Sequence, residues 1–120
     1  MRYVLLVYGE EAALKALSEE ELRELDRQGA VTDEILGESG HLIVGHPLEW
    51  TSQATSLRTR GGRLVATDGP FAETKEQLLG FILIEAKDRD EALSLVAKLP
   101  MQEGYTIELR AVGTCGKMPS

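Results

Sequence analysis

The sequence predicts an α+β fold from three observations: the order of its elements, a strong hairpin signal in mid-chain, and strands that are apolar on both sides. Arg2–Tyr8 (RYVLLVY) is rich in β-branched, aliphatic and aromatic residues and reads as the first strand. Ser18 with Glu21 three positions on is a capping-box pattern. Glu19, Glu20 and Glu21 add negative charge at the positive end of a helix dipole. A helix is therefore expected from Glu19 to near Gly40, where glycine suits the left-handed C-terminal position. Leu22, Leu25, Gly29 and Leu36 share one stripe of it, whereas Val31 and Ile35 fall off that stripe. Either the helix kinks near Gly29 or its second half touches something besides its own sheet.

His41–Val44 reads as a second strand closed by Gly45, His46 and Pro47; simple alternation would put Leu42, Val44 and His46 on one face. Ala54–Arg60 and Arg63–Thr67 flank Gly61-Gly62, a two-residue hairpin signal. Asp68-Gly69-Pro70 breaks the chain, and Leu78–Ala86 is the most strand-like segment. Asp88 with Glu91 is a second capping-box pattern, opening a helix striped by Ala92, Leu95, Val96 and Leu99 and stopped by Pro100. Tyr105–Val112 is the last strand. A single domain over 1–112 and a flexible tail over 113–120 are expected.

This order, β-α-β, a hairpin insertion, then β-α-β, fits a ferredoxin-like sandwich with one four-stranded antiparallel sheet. Right-handed crossovers put both helices on the same side of that sheet. Yet Tyr3, Leu5 and Val7 are backed by Val4, Leu6 and Tyr8, and Ile82 and Ile84 by Phe81 and Leu83. An uncovered apolar face of this size is rare on a soluble monomer. Covering several hundred Å² of it at ~25 cal/mol per Å² favours association by several kcal/mol before entropy costs. The simplest cover is a second copy packed sheet to sheet with two-fold symmetry, so a homodimer is predicted.

Composition narrows the function classes. The 120 residues are 42% hydrophobic and 28% charged, the balance of an ordinary globular domain. Acidic groups outnumber basic ones by 20 to 13, and a net charge of −7 argues against direct contact with a nucleic-acid backbone. Cys115 is the one cysteine, which excludes an intrachain disulfide and a multi-cysteine zinc site. No apolar run approaches the ~18–20 residues that span a bilayer, so no membrane contact is expected. Val4–Tyr8 is too short for a secretory signal, and a cytoplasmic location is expected. The chain carries no P-loop, dinucleotide fingerprint, Gly-x-Ser-x-Gly elbow or His-Glu-x-x-His, and no cofactor is expected.

The most unusual segment is Asp68–Glu76, DGPFAETKE. Glycine supplies a permissive backbone, proline fixes φ, and Asp68 can accept bonds from nearby amides as a turn cap. Alternatively Asp68 faces a cavity as acid, base or ligand anchor. His46, in the Gly-His-Pro turn, is its candidate proton partner, because an imidazole titrating near neutrality beside an aspartate makes an acid–base pair. Glu73, Lys75, Trp50 and Arg58 are candidate ligand contacts; each also has a plainer role as a solvated charge or, for Trp50, a packing plug. Arg58, Arg60 and Arg63 could receive an anion or an acidic partner, or protect a hairpin edge. His46, Asp68 and Glu73 do not have the spacing of a metal site, and Cys115 has no histidine nearby in sequence.

The stretch DGPFAETKEQLLGFILIEAKDRDEAL resembles the DGPF subgroup of the YCII-related family, as do MRYVLLVYG, AVTDEILGESGHLIVGHPL and TIELRAV. The resemblance runs from Met1 to about Val112. It implies a dimeric α/β barrel, a proposed His–Asp active site without a settled substrate, and an association with extracytoplasmic-function sigma factors in transcription initiation. Asp68 matches the aspartate of the motif. The family's histidine lies in the first helix, but Glu19–Ser39 contains none here, so the pair does not carry over intact. An unknown small-molecule ligand is the expected partner, with a sigma factor or a non-catalytic dimeric scaffold as alternatives.

Overall fold

The computed structural model describes residues 1–100 and 103–113; the tail expected beyond Gly113, with Cys115, lies outside them. The strands are β1 (Arg2–Gly9), β2 (Leu42–Pro47), β3 (Thr55–Arg60), β4 (Arg63–Asp68), β5 (Gln77–Glu85) and β6 (Thr106–Ala111). The helices are α1 (Glu11–Lys15), α2 (Glu19–Glu38) and α3 (Arg89–Val96), with a 3-10 turn at Thr51–Gln53. An antiparallel sheet has the order β2-β5-β1-β6, and β3-β4 forms a separate two-stranded ribbon. The architecture is α+β and compatible with a ferredoxin-like fold.

The local signals act as their chemistry dictates. Ser18 accepts from the Glu21 amide while Glu21 accepts from the Ser18 amide, so α2 begins with a complete capping box. Asp88 likewise accepts from the Glu91 amide, but Glu91 reaches back one residue further, to the Lys87 amide. At the ribbon tip Gly61 and Gly62 have φ of 57° and 76°, a conformation that matches strand twist and that side chains resist. α1 was not anticipated; Glu11 anchors it by accepting from both the amide and hydroxyl of Thr51, each at 2.8 Å.

Both crossover helices pack on one face of the sheet. Tyr3 and Leu5 of β1, Ile84 of β5, Leu36 of α2 and Ala92 and Leu95 of α3 form a single buried core. α2 is continuous through Gly29, and Leu36 is its buried residue. Its expected stripe does not seat along its length: Leu22 is 44% exposed, and Ile35 rather than Leu25 packs beside Leu36. The helix is clamped at its C-terminal end and stands off the sheet earlier.

One register detail differs from simple alternation. Leu42 pairs with Ile84 and Val44 with Leu83, so Ile43 is an extra residue in β2. This bulge turns Leu42 toward the helices and Val44 and His46 to the opposite face. There Val44 and His46 join Val4, Leu6, Phe81 and Leu83, none of them buried.

Leu36→Ala should cost about 2–5 kcal/mol in chemical denaturation, because a fully buried side chain leaves a cavity. Leu22→Ala should stay within about 0.5 kcal/mol. Equal losses would show that α2 is seated along its whole length.

Candidate functional site

Where α2 stands off the sheet, it roofs a cavity of about 580 Å³. Small residues make the hollow. The roof includes Gly29 and Ala30, and a side chain added at Gly29 would meet nothing within 4 Å. The floor includes Gly45 and Gly80, which pair with Ile82 and Val7 and so face the helices. Neither has room to be larger: a Cβ at Gly80 would lie 3.0 Å from the His46 carbonyl, and one at Gly45 would lie 3.3 Å from the Phe81 carbonyl. Missing side chains on three elements therefore add up to one void, walled by Val7, Leu25, Leu79, Ile82, Leu99 and Ile107.

Polar groups stand around this apolar space. Asp26, Thr32 and Asp33 of α2 line it from above, and Tyr105 closes the end near β6. Burial pushes the Tyr105 phenol above its usual 10.0, since the phenolate would lose solvation there. Its ring is also why β1 ends in glycine: a Cβ at Gly9 would come within 2.8 Å of both Tyr105 Cδ1 and Leu79 Cδ1.

The six residues singled out from sequence are not gathered at one place in the chain. His46 contributes to the cavity wall, but the register turns its ring to the opposite face, edge-on to Phe81 at 6.2 Å between centroids. Asp68 is exposed at the end of β4 and lines neither this cavity nor the cleft that Lys75 lines with Glu10, Glu76 and Glu108. Lys75 is 3.9 Å from Glu10, and Glu73 and Arg58 are exposed. Trp50 carries Lys15 Nζ 5.0 Å from its ring centroid, a cation–π contact that ties α1 down. His41 donates from Nδ1 to the Glu85 carbonyl at 2.7 Å. Among the described residues, no group of three His, Cys, Asp or Glu side chains is placed to hold a metal, and no helix is long and apolar enough to cross a membrane.

The DGPF turn itself is closed without its aspartate. Gly69 donates to the Ala54 carbonyl at 2.8 Å, and the Ser56 hydroxyl donates to the Gly69 carbonyl at 2.8 Å. Gly69 has φ 101°, which favours glycine. Among the described residues, the Asp68 carboxylate takes no hydrogen bond or ion pair.

The chain matches the YCII-related domain over residues 1–114. It belongs to the YCII-related family. It is also 37% identical over 124 aligned residues to an uncharacterised protein of Rhizobium meliloti (strain 1021), across 100% of both chains. Sequence reasoning about this YCII-related chain missed Asp26, Asp33 and Tyr105. By sequence alone nothing distinguishes the first two from the other charges of α2, and the third is only the start of the last strand.

In a spectrophotometric titration, Tyr105→Phe should remove a tyrosine step lying above pH 10. Because the folded-state value is raised, Tyr105 leaves stability intact below 10; stability then falls as pH climbs through the folded value. A lost step at the ordinary tyrosine value of 10.0 would mean that the phenol is solvated.

Proposed function

We propose that this YCII-related protein is a homodimeric small-molecule-binding protein whose ligand enters the cavity beneath α2. The observation that carries it is the cavity: about 580 Å³ falls within the roughly 300–1,000 Å³ of ligand sites, with mainly apolar walls and a few polar groups. The carboxylates of Asp26 and Asp33 at its edge suit a mainly apolar molecule bearing a positive charge or a hydrogen-bond donor. No cofactor is invoked.

The dimer reading is supported by the face opposite the helices, where Val4, Leu6, Val44, Phe81 and Leu83 lie side by side. Packing two such faces together would give a dimeric α/β barrel and remove that apolar surface from water. Light scattering should return about 26 kDa, twice the chain's 13.2 kDa, and Phe81→Glu should halve it. A wild-type mass of 13.2 kDa at micromolar concentration would end the dimer reading.

A second reading, acid–base chemistry at the DGPF turn, is favoured by the Asp68 carboxylate being unused by its own turn. One screen separates the two. Gly29→Leu should stabilise the fold by up to about 1 kcal/mol through helix propensity while filling the cavity. Compounds that raise the melting temperature of wild type should then fail on Gly29→Leu and still act on Asp68→Ala. Compounds showing the reverse pattern would place the site at Asp68, and a broad library that shifts neither would remove the ligand.

A further inference from the structure

The β3–β4 ribbon is the part of the chain least explained by a single protomer. Apart from half-buried Ser56, every residue of both strands is exposed. Its described hydrogen bonds to the rest of the chain gather at its base, around Ala54 and Gly69. An isolated two-stranded ribbon is marginal in water unless something packs on it.

Its register divides it into two unlike faces. Directly paired residues share a side, so Thr55, Leu57, Thr59, Leu64, Ala66 and Asp68 stand together on one face. Arg58, Arg60, Arg63 and Val65 stand on the other. Leu57 is 59% and Leu64 69% exposed, and beyond the turn Phe71 is 82% exposed. One face thus asks for an apolar surface. The other concentrates three of the 13 basic residues of a chain whose net charge is −7, so the rest of the molecule is strongly acidic.

Surface area says how large the missing cover is. The chain exposes 8833 Å², about 2,400 Å² more than the roughly 6,400 Å² expected of a compact 13.2 kDa monomer. That excess is of the size an obligate homodimer interface removes from one subunit, about 1,000–2,500 Å². The open sheet face, already half-buried, accounts for only part of that excess. Leu57 and Leu64 of the ribbon add exposed apolar surface of their own.

We propose that the β3–β4 ribbon is an arm that lays its Leu57, Leu64 and Ala66 face on a second copy of the chain. Asp68, on that same face at the arm's base, then sits at the seam between protomers, where the partner supplies the walls a single chain lacks. This rests on the dimer proposed above and assigns it a second contact.

The test is sedentation equilibrium by ultracentrifugation on wild type, Leu57→Glu/Leu64→Glu, Val65→Glu and Phe81→Glu, with circular dichroism to confirm folding. Both leucines are more than half exposed, so the double variant should fold. It should raise the dimer dissociation constant by about tenfold or more, since two leucines lose their apolar cover. Val65→Glu, on the opposite face, should change it by less than about threefold. The Asp68 carboxyl carbon resonance should also differ between wild-type dimer and dissociated double variant. A dimer broken by Phe81→Glu but indifferent to the ribbon variants overturns the arm and leaves the sheet dimer standing. A monomeric wild type overturns both. An unchanged Asp68 resonance removes Asp68 from the seam.

Discussion

A sheet has two faces, and two crossover helices of the same hand can cover only one of them. In this chain β1 and β5 are apolar on both. Tyr3, Leu5 and Ile84 are buried beneath α2 and α3, whereas Val4, Leu6, Phe81 and Leu83 face away from those two helices. Burial energy scales with apolar area removed from water, so this half-buried second face still gains from being covered. The proposed association and the seam at Asp68 both descend from this imbalance.

The cavity has a different origin, in the uneven seating of α2. Leu36 and Ile35 hold its C-terminal end to the core, while Gly29 and Ala30 give the middle nothing to press on the sheet. Gly45 and Gly80 lower the floor beneath them, each held small by main chain crossing close by. A void usually costs stability, because its lining forgoes dispersion contacts. Keeping one lined by Asp26, Asp33 and Tyr105 makes sense where a ligand fills it.

The DGPF segment joins the two halves of the problem. Its turn is closed by Ser56, Ala54 and Gly69, which leaves the Asp68 carboxylate without a partner among the described residues. The ribbon above it is amphipathic, with Asp68 on the apolar side. The proposed arm would carry this exposed carboxylate to the seam between two copies.

What could be read directly from the residues was governed by short-range physics. The Ser18–Glu21 box, the Gly61-Gly62 hairpin and the alternation of β1 and β5 depend on neighbours within a few positions, so the element order and both-sided strands were legible. The bulge at Ile43 was not, because an extra residue exists only relative to the partner strand; it moved Leu42 to the face opposite His46. Nor was the cavity, since Gly29, Gly45 and Gly80 are far apart in the chain and become one hollow only when three elements stack. Local sequence determined which segments are helix or strand and how much apolar surface each offers. Which surfaces meet, and which are left without a partner, was decided by long-range pairing, whose free energy depends on every element at once.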